Sequence, residues 1–265
     1  MSIKLYNTSV TLFDEVKTRA CPALRGKEPA IQTVSLSFYR FPRVRDRIWA
    51  FAMMGLARPA IARLDGIGFW KLCGAGTGEG FTPVPDTAVY AILAVWDSAA
   101  RARQQTQSAA IYRRYQRRAS ESWTVYLTPT SARGAWSGQS PFRPDAASDS
   151  GPIAALTRAT LRPRTMLRFW RRVPRISAVI GDNRDVAFKI GIGEVPWLHQ
   201  VTFSIWPDAG TMAEFARRDG PHAQAIRAVR EGNWFREELY ARFNVQGAEG
   251  TWQGRPPLAR IGEQT

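Results

Sequence analysis

The chain predicts an α+β fold: two tandem ferredoxin-like units of order β-α-β-β-α-β, forming a two-sheet pseudo-barrel with helices outside. Three observations carry this prediction. Alternating and helical apolar patterns follow one another in the same order twice. Matching aromatic segments recur: Trp70-Lys71-Leu72 answers Phe188-Lys189-Ile190, Val95-Trp96 answers Ile205-Trp206, and Gly134-Ala135-Trp136 answers Gly250-Thr251-Trp252. Between the copies, Ser137 to Pro152 is rich in Ser, Pro, Gly and Asp and reads as a linker.

Residues 1–30 are polar and aperiodic, an extension outside the core. In the first unit, residues 31–136, Ile31 to Phe41 alternates as a strand does. A helical stretch follows through Ile48, Trp49, Phe51, Met53 and Leu56. Phe69 to Cys73 and Thr87 to Trp96 read as strands, Ser98 to Ala119 as a helix, and Trp123 to Leu127 as the closing strand. The linker covers 137–152. In the second unit, 153–252, Ile153 to Leu161 is a strand and Thr165 to Ile180 a helix with Phe169, Trp170 and Val173 on its apolar side. Val186 to Gly191 and His199 to Trp206 are strands. Asp208 to Arg218 and His222 to Gly232 form a broken helix, and Leu239 to Val245 closes the sheet. Residues 253–265 are a tail. Two four-stranded sheets, each with a free apolar face, would bury those faces against each other.

Composition narrows the functional classes. With 45% hydrophobic residues and ten tryptophans, the chain is globular and not disordered. Its longest apolar runs, Trp49 to Ala57 and Ala88 to Trp96, are about half of what a membrane helix needs. The first thirty residues lack the apolar segment of a signal peptide. These readings place the chain in the cytosol, with contact to a membrane only from outside. Two cysteines, Cys21 and Cys73, exclude a disulfide framework. The net charge of +15 is mostly arginine, densest at Arg113, Arg114, Arg117 and Arg118. Such a surface attracts nucleic acid, anionic lipid or an acidic protein, but no nucleic-acid reader motif accompanies it. A solvated helix face accounts for it equally well.

The candidate chemistry rests on the two histidines, His199 and His222, both in the second unit. Asp219-Gly220-Pro221-His222 has the grammar of a helix start. His222, Ala225, Ile226 and Val229 then share one helical face. The positive end of the helix dipole disfavours imidazolium there and leaves a neutral ring suited to ligating a metal. A buried core histidine is the plainer alternative, set against the apolar Ile111 at the matching place in the first unit. His199 opens a strand and shares parity with Val201, Phe203 and Ile205; if that face looks toward the helices, His199 reaches the pocket that His222 addresses. No carboxylate or thiol completes a zinc site, whereas a single axial histidine suits haem. Gly74 to Phe81 fits no nucleotide-binding spacing and reads as a hairpin loop.

Several segments resemble the spheroidene monooxygenase (acyclic carotenoid 2-ketolase) family. They are Lys189 to Asp208, Asp219 to His222 with Ala225 to Arg230, Asn233 to Phe243, Pro152 to Thr160, and in the first half Phe69 to Pro83 and Leu127 to Ser131. The resemblance spans about Ile31 to Trp252. It implies an oxidoreductase holding haem b, with O2 as co-substrate, that oxidises C-2 of an acyclic carotenoid to a hydroxy and then a keto product with electrons from an acidic ferredoxin. The predicted architecture also resembles dimeric α/β-barrel haem proteins such as aldoxime dehydratases. That likeness implies His222 as the iron ligand, with Phe203 and Ile226 lining the cofactor and His199 as the catalytic group or the alternative ligand. Basic charge suits peripheral contact with the inner or photosynthetic membrane. The competing expectations are a haem lyase of the aldoxime dehydratase type and a non-catalytic haem or nucleic-acid binding module.

Overall fold

The computed structural model describes residues 31–78, 82–145, 151–171, 186–217 and 234–262. Eight strands carry the fold: β1 (Thr33–Arg40), β2 (Ile67–Gly76), β3 (Pro85–Trp96), β4 (Glu121–Gly134), β5 (Ile153–Leu161), β6 (Phe188–Gly193), β7 (His199–Trp206) and β8 (Phe235–Gly250). They close into one antiparallel barrel of order β1-β3-β2-β6-β7-β5-β8-β4. Each half thus runs in the same order, β4-β1-β3-β2 and β8-β5-β7-β6. The expected pair of packed sheets is a single closed sheet, because the edge strands of the halves find each other. β4 pairs with β8 from Trp123–Gly250 to Gly134–Leu239. β2 meets β6 only through Gly74–Gly193 and Ala75–Ile192. Closure leaves no open edge.

Strand alternation divides the apolar residues between two layers. Val34, Leu36 and Phe38 of β1 and Val89, Ala91, Leu93 and Val95 of β3 point into the barrel. Their neighbours Tyr90, Ile92, Ala94 and Trp96 point out, under the helices. The run Ala88 to Trp96 is therefore a strand buried on both faces. The interior is filled, chiefly by Phe38, Trp123, Phe188 and Phe203, with ring centroids 4.5–6.3 Å apart.

Helices α1 (Val44–Leu56), α2 (Arg58–Ala62), α3 (Ala99–Ser108) and α4 (Ala110–Arg118) cover the outer face of the first half. The helix expected over Ser98 to Ala119 breaks at Ala109, whose backbone is extended (φ −63°, ψ 136°). Gln116 Nε2 crosses the break to the Thr106 carbonyl at 3.0 Å. The break turns Ile111, Tyr112 and Tyr115 onto the sheet, leaving Arg113, Arg114, Arg117 and Arg118 exposed. In the second half α5 (Ala209–Arg217) places Met212 and Phe215 against Trp206 and Ile153. Residues 166–171 are helical, and α6 (Ala259–Gly262) follows β8.

Each end of the barrel is closed by the same device. After β4, Trp136 opens a turn through Ser137 and Gly138, both at positive φ; after β8, Trp252 opens one through Gln253 and Gly254. Positive φ at both central residues is the type I′ requirement. Gly138 N–H donates to Glu237 and Gly254 N–H to Glu121, each at 2.7 Å. Glu237 in turn pairs with Arg158, and Glu121 with Arg40. The two guanidiniums lie over the rings of Trp136 and Trp252, 5.7 and 4.7 Å from their centroids.

A glycine precedes each tryptophan turn for a steric reason. Gly134 (φ +99°) and Gly250 (φ +87°) would place a Cβ 2.1 Å from the Glu238 and Ser122 carbonyl oxygens. Gly134→Ala or Gly250→Ala should each cost about 2–3 kcal/mol, read as a lowered urea midpoint. Gly254→Ala, at positive φ but in open space, should cost only about 1 kcal/mol.

Candidate functional site

Where β2 and β6 part, the chain leaves a cavity of about 350 Å³. Its walls are mainly apolar: Phe51 and Met54 of α1, Tyr90 of β3, Pro83 before β3, and Trp170 and Trp197. Two indoles hold the walls together. Trp197 Nε1–H donates to the Pro83 carbonyl at 2.7 Å, and Trp170 Nε1–H to the Trp197 carbonyl at 3.0 Å. Trp197 does this from φ +66°, a conformation rare for a bulky side chain. Gly193 is needed just before this loop, since a Cβ there would lie 2.1 Å from the His199 carbonyl oxygen.

His199 and Glu194 also line the cavity. The imidazole Nδ1 lies 3.3 Å from Glu194 Oε2, at ion-pair distance but off the line of a hydrogen bond. The Glu194 carboxylate is the hub of a polar cluster at this end of the barrel. Lys71 Nζ approaches at 2.9 Å, Trp136 Nε1–H donates at 2.7 Å, and the guanidinium of Arg158 stands at 4.0 Å. Arg158, 1% exposed, joins Glu194 to Glu237, and Lys71 also donates to Ser137 Oγ at 2.7 Å. Burial alone would raise the Glu194 pKa. The close contacts of Lys71, Trp136 and the His199 ring, with the Lys71 charge, outweigh it and hold the carboxyl at about 2. Burial, reinforced by Glu194, pushes the Cys73 thiol up, so it stays protonated and is no thiolate ligand. Among the described residues no group of three or more His, Cys, Asp or Glu is placed to hold a metal ion.

No family model matches the chain. Curated relatives do. A spheroidene monooxygenase from Cereibacter sphaeroides is 52% identical over 230 residues, 86% of this chain and 71% of that protein. Others from Rhodobacter capsulatus (48% over 228 residues, 85% and 95%) and Rubrivivax gelatinosus (33% over 210 residues, 79% and 80%) also match. The chain belongs to the spheroidene monooxygenase family. Its fold is also that of aldoxime dehydratases. One solved in complex with butyraldoxime superposes with a TM-score of 0.59 at 9% identity, over 89% of this chain and 86% of that one. Another gives 0.58 at 10% identity, over 83% of each. At these identities the likeness concerns the fold alone.

In this family member the sequence-predicted residues divide. His199 lines the cavity. Its strand-mates Val201, Phe203 and Ile205 point into the barrel and not toward the helices, so the condition for His199 to share a helix-side pocket is not met by parity. Phe203 is fully buried among Phe38 and Phe188 and does not line the cavity. His222 and Ile226 lie outside the described residues. Glu194, Lys71 and Arg158 were missed by sequence reasoning. The only signals were a buried-parity arginine in β5 and a lysine of interior parity in β2.

The low Glu194 pKa makes a pH prediction. Its stabilisation is complete above the ordinary carboxylate value of 4.5 and is lost as pH falls toward about 2. Glu194→Gln should be less stable by on the order of 2 kcal/mol at neutral pH. Urea unfolding should show that deficit shrinking through the same window, because the wild type loses its advantage there.

Proposed function

We propose that this chain is a haem-dependent monooxygenase that uses O2 and ferredoxin electrons to oxidise C-2 of an acyclic carotenoid to a hydroxy and then a keto product. The observation that carries the reading is identity of 52% and 48%, over most of the chain, to proteins named spheroidene monooxygenase. Two features of the chain support it. The matched strand orders and tryptophan turns suit a duplicated ferredoxin-like unit. The apolar cavity, walled by Trp170 and Trp197 and carrying one imidazole, suits a long apolar substrate more than a polar one.

The haem part of the proposal rests on His222, which lies outside the described residues. His222 is the proposed iron ligand: its counterpart in the first half, Ile111, is buried against the sheet, and an equivalent place in the second half would favour a neutral imidazole. Bound there, haem would supply oxygen activation. The remaining roles belong to the chain's own side chains. Glu194 lies 3.3 Å from His199 Nδ1 and faces that side of the ring, and Nε2 is the nitrogen proposed to exchange a proton. Lys71, Trp136 and Arg158 hold Glu194 in place and ionised. Trp170, Trp197 and Phe51 exclude water and align an apolar chain. The exposed arginines of α4 suit an acidic ferredoxin. No helix among the described residues is long and apolar enough to cross a membrane, and the basic surface suits peripheral contact.

Purified protein should show a Soret band that collapses in His222→Ala and survives in His199→Ala. The second variant should instead lose oxygenation of spheroidene in the presence of O2, ferredoxin and its reductase. A Soret band unchanged in His222→Ala removes His222 from the role, and turnover without O2 favours the lyase reading.

A further inference from the structure

We infer that the mouth of the Trp170–Trp197 cavity is a docking surface for an anionic lipid bilayer. The inference rests on the reading that the substrate is a long apolar molecule, and it names where such a molecule enters.

Exposed apolar side chains on this molecule are not scattered. Of the ten large ones among the described residues, eight sit on the four segments that frame this cavity. α1 contributes Val44, Ile48, Phe51 and Leu56, each 66–73% exposed. Ile48 precedes the cavity-lining Phe51 by one turn. Leu167, 69% exposed, stands one turn before Trp170 on the opposite wall. The loops between add Val84 beside Pro83, and Val195 and Trp197 on the loop before His199. Monomeric surfaces rarely group large apolar side chains in this way without a partner.

Charge selects the partner. The four framing segments, 43–63, 82–87, 162–171 and 193–199, hold nine arginines and three carboxylates, Asp46, Asp86 and Glu194; Glu194 is paired with Lys71, and Asp86 accepts from the Ala88 N–H. Asp46 is buried and already paired with Arg118 and Arg45. Arg43 and Arg58 at the two ends of α1, and Arg164, Arg168 and Arg171 across the cavity, are exposed. An apolar collar ringed by arginine is the pattern that inserts shallowly into a bilayer while its cations meet anionic headgroups. An acidic protein would match the arginines but leave the collar's apolar side chains without a complement. The cavity would then open onto the acyl-chain region, where an apolar substrate resides.

The test is flotation of the full-length protein with vesicles of equimolar phosphatidylglycerol and phosphatidylcholine, and with vesicles of phosphatidylcholine alone, at about 0.1 M salt. The wild type should float with the anionic vesicles and at least tenfold less with the neutral ones. Ile48→Asp/Leu167→Asp, at two exposed positions outside the cavity wall, should lose at least tenfold of the anionic binding with an unchanged circular dichroism spectrum. Arg164→Glu/Arg168→Glu should weaken binding without altering the collar. Absence of wild-type binding, or wild-type-like binding by the Asp variant, overturns the inference. So does sedimentation showing a wild-type dimer that the Asp variant converts to monomer, which would assign the collar to a second copy. Vesicle binding needs neither haem nor turnover, so its failure leaves the proposed oxygenase standing, and loss of oxygenase activity leaves the docking result standing.

Discussion

Closure of the barrel at β2 and β6 is the constraint on which the site depends. Eight antiparallel strands remove every sheet edge, and their interior is filled by large aromatic rings. A filled barrel has no room for a ligand inside it. The long β4–β8 seam is a continuous ladder, whereas β2 and β6 meet at two glycines, an alanine and an isoleucine before their chains diverge. Divergence there leaves the loops after β2 and β6 to form walls of their own. The same short seam thus completes the fold and creates the cavity.

The polar cluster beside that seam follows from the interior parity of Lys71, Arg158 and His199. Side chains of that parity at the end of a barrel are taken partly out of water, and charges so placed must find partners. Glu194 supplies one and Glu237 the other, so Arg158 can remain 1% exposed. The opposite end repeats the arginine, the glutamate and the tryptophan turn, as Arg40, Glu121 and Trp252. In the alignment set by Val95-Trp96 and Ile205-Trp206, His199 falls opposite Val89, an interior aliphatic residue. One end of a near-symmetric barrel has therefore kept a closing device, while the other has added an imidazole and a carboxylate beside it.

Much of the fold was legible because strands in a two-layered arrangement keep strict alternation. Ile153–Leu161 and His199–Trp206 fall where the pattern put them, and the tryptophan matches marked the turns that close both ends. What was not legible depended on distance or on backbone. The break at Ala109 has no glycine or proline to announce it; Thr106 bonds the Tyr126 hydroxyl and Gln116 reaches back across the break to the Thr106 carbonyl, which sustains it. β8 runs well beyond Leu239–Val245 because its ends pair with β4 and β5 rather than because its own residues alternate cleanly. Glu194 looked like one more loop carboxylate, since Lys71, Trp136 and Arg158 reach it from remote parts of the chain. The helical pattern of α1 gave its existence but not its orientation. Ala50, Met53 and Ala57 face the sheet, which turns the larger Ile48, Phe51 and Leu56 outward.

That orientation connects the parts. α1 turns Ala50, Met53 and Ala57 onto the sheet, and Phe51 and Met54 beside them become cavity walls at the seam. The cost is an outward ridge of large apolar side chains, unfavourable in water by about 25 cal/mol per Å² left exposed. A chain with a solvated outer surface as its only requirement would place its alanines outward and its leucines inward. The exposed apolar ridge of α1, the positive φ of Trp197 and the arginines around both converge on one opening. An opening so framed is what the proposed docking to an anionic bilayer requires of the molecule.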